Sequence, residues 1–226
     1  PQHLLTWLNA FTLNSSLSNA HFIRQVDLTH WKCLREIKGK EGICEGEKLR
    51  EIFQTLPCIK KLIVRKQEKL AKCAWGSFLS LKGLEQLEVE NQNIPHVGFD
   101  IFCRQMASLK IAKFAGCYFQ RKYPGFWSSL SLLSNIQELD LSRTDVDSAA
   151  LSYIGEGCKE LRKISLNGCK GLKENDFFCL SQFPNLEEIR INGTAISEEC
   201  YLALLSSMKK ACSIEARHLG IECSSV

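Results

Sequence analysis

The sequence has no long apolar run and no excess of one charge. No segment approaches the roughly 18 consecutive apolar residues that a membrane-spanning helix needs. The 29 basic residues are nearly balanced by 25 acidic ones, which gives a net charge of +4. A dedicated nucleic-acid-binding protein is usually more basic and clusters its cations. We therefore expect neither a membrane nor a nucleic acid as partner.

The motifs of common catalytic and metal sites are also absent. The sequence contains no Gly-rich phosphate loop, no paired histidines of a metalloprotease and no nucleophile elbow of a serine hydrolase. None of its five histidines stands at a spacing that couples it to a cysteine nucleophile. The sequence thus predicts a protein that is not an enzyme, with no catalytic residue, no metal and no cofactor.

Cysteine, by contrast, is abundant, with twelve in 226 residues. Disulfide frameworks are typical of small domains without a core, whereas a chain of this length that is 45% apolar can bury one. Structural zinc sites need close pairs such as C-x2-C, and no such pair is present. Reduced, buried thiols are therefore favoured, with disulfides as the alternative. Together with the lack of a signal-peptide pattern, this predicts an intracellular protein, cytoplasmic or nuclear.

An internal repeat organises the chain. Leu161-x-x-Ile164-x-Leu166 recurs in similar apolar form from residues 23, 59, 84, 109, 136, 161, 186 and 211, in steps of 36, 25, 25, 27, 25, 25 and 25. Stretches such as "SAALSYIGEGC" and "SEECYLALLSSMKK" between these triplets have helical spacing, with Ser148 and Ser197 as expected N-caps. Each unit is predicted to be a strand, a turn and a helix. One unit cannot bury both apolar faces alone, but a stack can.

This pattern resembles the leucine-rich repeat, in the cysteine-containing subtype of F-box/leucine-rich-repeat proteins and their relatives of the mitotic-exit-antagonist kind. The resemblance is strongest over 136–209, notably in "CKELRKISLNGCKGLKENDFFCL", and extends over about 23–216. It implies an α/β fold: a curved leucine-rich repeat solenoid of about seven to eight repeats, with parallel strands on the concave side and helices on the convex side. It also implies protein recognition, as the substrate-binding part of a cullin–RING ubiquitin ligase.

Most cysteines fall on periodic positions of the repeat. The ninth residue of four consecutive units is Cys117, Thr144, Cys169 or Thr194. These side chains are small and can hydrogen-bond the backbone of a turn. Cys158 and Cys179 stand in apolar helix columns, and Cys73 shares a column with Cys200. The cysteines are accordingly predicted to pack rather than to react.

Side chains between the apolar strand positions are expected to project from the concave face. They alternate in sign, which suits a protein or peptide partner of mixed charge, although an ordinary solvated face is the alternative. The candidate partner-binding residues on the strands are Lys61, Arg65, Glu88, Glu90, Lys113, Glu138, Asp140, Lys163, Asn167, Glu188 and Arg190.

Two units depart from the common repeat length. The first is the longest, and its charged, Gly-rich segment "KGKEGICEGEK" predicts an exposed loop near 35–47. The fourth has two extra residues and contains "CYFQRKYPGFW", where Tyr123 and Trp127 are candidate rim contacts. Local packing is the alternative for that segment, with Phe119 the strongest core candidate.

The ends of the chain complete the predicted organisation. Residues 1–22 are expected to be an N-terminal capping helix or a partial repeat, residues 23–216 the repeat domain, and residues 217–226 a polar tail. The segment before the first repeat is too short for an F-box, so contact with a ligase adaptor is expected through a region outside this chain. Two other functions stay open: an assembly subunit of a larger complex, and the ligand-sensing repeat domain of an innate immune receptor.

Overall fold

A computed structural model of the protein describes residues 24–27, 49–50, 53–54, 56, 58–65, 74–119, 126–208, 212–219 and 224–225. The predictions for residues 1–22, for the loop near 35–47 and for Tyr123 lie outside these residues. No helix in the described ranges combines the length and apolar character needed to cross a membrane.

Eleven strands occur in the described ranges. In chain order they are β1 Gln25–Asp27, β2 Lys61–Val64, β3 Gln86–Val89, β4 Asn93–Ile94, β5 Ile111–Lys113, β6 Tyr118–Phe119, β7 Glu138–Asp140, β8 Lys163–Ser165, β9 Glu188–Arg190, β10 Ser213–Glu215 and β11 Ser224–Ser225. Nine of them form one sheet whose order follows the chain, while β4 and β6 form a separate parallel pair. Strands β1 to β10 of the large sheet are parallel, and β11 runs antiparallel to β10.

The register of the large sheet confirms the predicted repeat. Lys163 pairs with Glu188, which stands one common repeat length further along the chain. Ile111 pairs with Glu138 across the longer fourth unit, and Gln25 aligns with Lys61 across the longest one. The extra residues of these two units therefore do not change the alignment of neighbouring strands. They are accommodated in the connections, where a solenoid tolerates insertions.

Helical segments lie between successive strands. The α-helices are α1 Ala74–Phe78, α2 His96–Gln105, α3 Ser148–Gly157 and α4 Glu198–Ser207, and 3-10 helices span Trp127–Leu132, Glu174–Gln182 and Arg217–Leu219. The predicted helix is therefore present as an α-helix in the units that start at 59, 84, 136 and 186, and as a 3-10 helix in the units that start at 109 and 161. In the second of these, the run Asn175–Phe178 consists of residues of low helix propensity, whereas α3 and α4 are richer in Ala, Leu and Glu.

The two predicted N-caps have different outcomes. Ser197 caps α4 as expected, since its side chain accepts the N–H of Cys200. Ser148 does not cap α3: Asp147 does, with Oδ1 3.0 Å from the N of Ala150. A carboxylate at this position satisfies the same free N–H groups and also interacts favourably with the positive end of the helix dipole. Ser148 is instead the first residue of the helix.

A column of left-handed backbone conformations marks the turn after each strand. The eighth residue of five consecutive units has φ between 56° and 67°; these residues are Asn91, Gly116, Arg143, Gly168 and Gly193. Glycine adopts this conformation without a steric penalty, whereas an L side chain such as that of Arg143 is strained there. The shared conformation gives all five units the same turn.

The core differs between the two halves of the stack. Around α1, α2 and the Trp127–Leu132 helix it is aromatic: Trp75 lies 5.3–5.6 Å, between ring centroids, from Phe78, Phe99 and Phe102. From β7 onward it is mainly aliphatic, although the rings of Phe177, Phe183 and Tyr201 are also buried there. Seven of the cysteines within the described ranges are free thiols: Cys103, Cys117, Cys158, Cys169, Cys179, Cys200 and Cys212.

The ninth-position residues behave as predicted. Cys117 donates its thiol hydrogen to the carbonyl of Val89, and Cys169 donates to that of Leu141. Thr144 bonds the same Leu141 carbonyl from within its own turn, at 2.6 Å. A cysteine here therefore links two units, whereas a threonine closes one turn. Burial raises the pKa of Cys117 to about 12, as it does for Cys158, so these thiols are protonated and poor nucleophiles at neutral pH.

Candidate protein-binding surface

The strand candidates lie on one face of the large sheet, which we call the sheet face. The central residue of each three-residue strand from β5 to β10 in this sheet points the opposite way, into the core, and is no more than 1% exposed. Ile164 and Ile189 are examples. Alternation along a strand therefore sends the residues on either side of each central position to the sheet face. The candidates there form three groups of ion pairs.

The first group joins β2 and β3. Glu88 Oε1 lies 3.0 Å from Lys61 Nζ, and its other oxygen pairs with Arg65. Arg65 also reaches Glu90 at 3.0 Å. Burial alone would raise the pKa of Glu88, but the hydrogen bonds from Lys61 and Arg65 outweigh it and lower that pKa. Glu88 is thus held as a carboxylate inside the protein.

This geometry corrects the assignment of Glu88 as a partner contact. Its side chain is only 4% exposed, because the two cations that neutralise it also cover it. Arg65 at 41%, and Lys61 and Glu90 at 29% each, are the accessible members of the group.

The other two groups lie further along the sheet. Lys113 pairs with Glu138 at 3.0 Å between β5 and β7. On β8 to β10, Glu188 and Glu215 are bridged by Arg190, with Lys163 and Arg217 at the two ends of the chain of contacts. A hydrogen bond from Lys163 is the main cause of the lowered pKa of Glu188. This last group holds three cations for two carboxylates.

A shallow depression lies between these groups and collects six of the predicted candidates. It is lined by Lys113, Glu138, Leu139, Asp140, Lys163, Ile164, Ser165, Glu188 and Arg190. Short side chains form the floor at its centre. Asp140 aligns with Ser165 on the next strand, and the hydroxyls of Ser165 and Ser142 lie 2.8 Å apart. The longer side chains at its border, such as Lys113 and Lys163, form ion pairs with Glu138 and Glu188.

Asp140 differs from the other acidic residues of the depression. Its Oδ1 accepts the backbone N–H of Ser142 at 2.8 Å. Lys113, which aligns with it on the neighbouring strand, pairs with Glu138 instead. Within the part of the chain that the structure describes, no cation lies within ion-pairing distance of Asp140. The sequence alone does not show which carboxylate pairs with Lys113, because Glu138 and Asp140 flank the same strand position. The interatomic distances of the structure identify Glu138 as the partner.

Asn167 belongs to a hydrogen-bond ladder that the sequence predictions missed. Its Oδ1 accepts the N–H of Asn192 at 2.7 Å, and Asn192 Oδ1 accepts the N–H of Arg217 at 2.6 Å. Each asparagine therefore ties its turn to the next unit. The signal was present in the sequence, because the two asparagines stand one repeat apart in the same column. The amide oxygen of Asn167 is accordingly occupied within the protein.

The aromatic rim candidate Trp127 is buried, with 7% of its surface exposed. Its ring lies 5.1 Å from that of Phe119 and 5.5 Å from that of Phe126. Its assignment as a rim contact is therefore corrected in favour of local packing, and the prediction that Phe119 fills the core is confirmed. Tyr118, by contrast, is an exposed aromatic residue of this region.

No set of three or more His, Cys, Asp or Glu side chains in the described ranges is placed to hold a metal ion. The sheet face carries side chains of both charge signs that are held in ion pairs with one another. Such an arrangement recognises a complementary pattern of charges.

Parallel strands in chain order, one shared turn geometry and helical segments between the strands define a leucine-rich repeat solenoid of the α/β class. Solved structures share this fold: an internalin (InlF) of Listeria monocytogenes matches with a TM-score of 0.50 and 14% identity, over 70% of this chain and 48% of its own. The present chain thus spans about half the length of that internalin.

Two further solved structures are similar at lower scores. Internalin C2 of Listeria monocytogenes matches with a TM-score of 0.47 and 15% identity, over 83% of this chain and 93% of its own. A leucine-rich repeat protein of Leptospira interrogans matches with a TM-score of 0.47 and 16% identity, over 74% and 50%. No protein-family model and no curated protein matches the chain.

Proposed function

We propose that the chain is a non-enzymatic protein-recognition module that binds its partner on the sheet face. The observation that carries the proposal is the depression bordered by Lys113, Glu138, Asp140, Lys163 and Arg190. Solenoids use such extended faces for binding, and the fixed ion pairs hold this one ready without a cost in ordering long side chains.

At a finer level, we propose that the module selects substrates for a cullin–RING ubiquitin ligase. The support is the cysteine-containing form of the repeat, with Cys117 and Cys169 hydrogen-bonded between units. Adaptor binding would be supplied by a region outside this chain. An assembly subunit and an immune ligand sensor are the competing roles for the same surface.

The proposal is tested by quantitative affinity purification of the full chain. The test variant reverses charge at Glu138 and Asp140 together, and the control reverses the exposed pair Arg162–Glu187, which lies outside the depression. We expect partner proteins to be depleted about tenfold or more with the test variant and retained with the control. Equal recovery with both variants would exclude the depression as the binding surface.

The identity of the copurifying proteins separates the competing roles. Adaptor and cullin subunits, recovered with an extended chain, would support the ligase role. Stoichiometric recovery of one stable complex without those subunits would support an assembly role instead. Thermal unfolding of each variant provides the check that lost binding does not reflect lost fold.

A further inference from the structure

The depression on the sheet face carries two charges that the protein itself leaves unbalanced. On one side Asp140 has a backbone hydrogen-bond partner but, among the described residues, no cation. On the other side the chain of contacts Lys163–Glu188–Arg190–Glu215–Arg217 has one cation in excess. The pair Lys113–Glu138 is neutral. Local charge is thus separated across the depression rather than cancelled.

The unbalanced Asp140 and the cation-rich group that contains Arg190 have a fixed order and spacing. Asp140 aligns with Ser165, and Ser165 aligns with Arg190, so the three residues form one row across β7, β8 and β9. Neighbouring strands lie about 4.8 Å apart, which puts the backbone positions of Asp140 and Arg190 about 10 Å from each other. Ser165 between them is short and leaves the space open.

From this geometry we propose that the partner is a protein segment with a basic and an acidic side chain separated by about two strand spacings, or about 10 Å. The basic side chain pairs with Asp140 and the acidic one with Arg190. The inference rests on the proposed function of the sheet face and adds the partner's charge order: basic toward β7, acidic toward β9. A segment of one charge sign would satisfy one position and be repelled at the other.

Arg190 is placed to bind the acidic side chain of the partner through its guanidinium. Half of its side chain is exposed, and its guanidinium already serves Glu188 and, at 3.5 Å, Glu215. That second contact is the longest in the group, so a partner carboxylate can compete for it while the largely exposed Arg217 keeps Glu215 paired at 2.6 Å. Binding of an acidic side chain therefore leaves no carboxylate of the group unpaired.

The test uses a displayed library of random dodecapeptides selected on the full chain. A dodecapeptide spans about 40 Å when extended, at about 3.3 Å per residue, and can reach both charges. We expect the enriched peptides to share one basic and one acidic residue. Asp140→Asn and Arg190→Gln should each weaken their binding about tenfold or more. Asp140→Asn keeps an oxygen for the N–H of Ser142, so the turn is preserved.

A charge exchange makes the test specific. The double variant Asp140→Lys with Arg190→Glu should lose the selected peptide and regain binding to the same peptide with its two charges exchanged. Arg162→Gln and Glu187→Gln, on the exposed pair outside the depression, serve as matched neutralisations and should leave binding unchanged. Thermal unfolding verifies that every variant is folded.

The remaining outcomes separate the inference from the proposed function. In one outcome, the selected peptides lose binding when the charges of Glu138 and Asp140 are reversed, but bind the charge-exchange variant as well as the wild type. That result would overturn the charge order and leave the proposed function standing. Selected peptides whose binding no sheet-face variant changes would overturn both, as would a selection that yields no binding peptide.

Discussion

The two halves of the described stack share one strand register but fill their interiors differently. Around α1 and α2 the interior is a cluster of rings, in which Phe99 packs against Trp75, Phe114 and Phe126. From β7 to β10 it consists mainly of Leu, Ile and small residues such as Ala150 and Cys158, together with the buried rings of Phe177, Phe183 and Tyr201. The aromatic half also contains the extra strand pair β4 and β6 and the lengthened unit that starts at 109.

This difference separates what a repeat must keep from what it can vary. Strand alignment and the left-handed turn occur in both halves, so they depend on the strand columns and not on the filling. Rings fill more volume than the aliphatic side chains of the second half. Small fillers instead permit close contact, as where Gly157 approaches Ser131.

The largest effect is expected for truncation inside the aromatic half. Phe99→Ala removes a ring with no exposed surface and should lower the free energy of unfolding by about 3–5 kcal/mol, measured by urea denaturation. The matched control is Phe178→Ala in the other half, where the ring is 37% exposed. Exposed sites usually change stability by about 0.5 kcal/mol or less. Similar losses for both variants would contradict the placement of Phe99 in a closely packed aromatic cluster.

Close packing between α3 and the Trp127–Leu132 helix, where the two halves meet, is tested by adding one methyl group. In Gly157→Ala the new Cβ would stand 2.0 Å from the carbonyl oxygen of Ser131, which belongs to the backbone and cannot simply rotate away. We expect a loss of about 1–3 kcal/mol, measured in the same way.

The control for that substitution is Gly76→Ala in α1. There the nearest atom to a new Cβ is Arg50 Nη2 at 3.9 Å, so no clash arises. Alanine is the better helix former by about 0.5–1 kcal/mol, and this variant should be neutral or more stable. Destabilisation by Gly76→Ala equal to that by Gly157→Ala would remove the distinction between the halves.

Alkaline pH should destabilise both halves equally, because each contains a deeply buried thiol. Burial raises the pKa of Cys117 and of Cys158 from 9.0 to about 12. Above pH 9 the unfolded chain releases these protons while the folded chain retains them, so the free energy of unfolding falls as pH rises from 9 toward 12. At pH 10 the loss is about 1 kcal/mol per thiol.

Removal of the two thiols provides the comparison for this pH effect. The double variant Cys117→Ala with Cys158→Ala should be less stable at pH 7 but should lose less between pH 8 and pH 10. Chemical denaturation at each pH measures both quantities. Parallel losses for wild type and variant would show that other groups govern the alkaline range.

The smallest effect concerns the turn column that both halves share. Arg143 has φ 57° where the neighbouring units have Gly116 and Gly168. Relief of the left-handed strain is worth about 1–2 kcal/mol, and the extra freedom of glycine in the unfolded chain offsets about half of it. Arg143→Gly should therefore stabilise the protein by about 0.5–1 kcal/mol, and Gly168→Ala should destabilise it; urea denaturation measures both. The opposite signs would contradict a common turn.

The strand register could be predicted from sequence because it rests on spacing alone. The triplet of Leu161, Ile164 and Leu166 recurs at a nearly constant interval, and alternation fixes which side chains face inward. The turn column was also readable, since Gly116, Gly168 and Gly193 share one position. Helix type was not, because segments as short as Glu174–Gln182 carry too few apolar positions to separate an α-helix from a 3-10 helix.

For the candidate site, the sequence predicted which face of the sheet the residues occupy but not the partners of each side chain. Spacing brought Glu88, Glu138 and Asp140 to the same side of the sheet, but their environments depend on which cation each of them attracts. Glu88 is covered by two cations, Glu138 has one and Asp140 has none among the described residues. The two extra residues of the fourth unit shift its helix columns, so the burial of Trp127 could not be read from the aromatic segment alone.

The antiparallel strand β11 has a consequence for self-association. A parallel solenoid whose last strand is bare presents a template of unpaired backbone groups to a second copy, and head-to-tail addition of that kind produces filaments. Here Ser213 and Ile214 of β10 are paired with Ser225 and Ser224, in the direction opposite to the rest of the stack. A neighbouring molecule cannot continue the parallel ladder at these residues, so growth of a fibre from this edge is opposed.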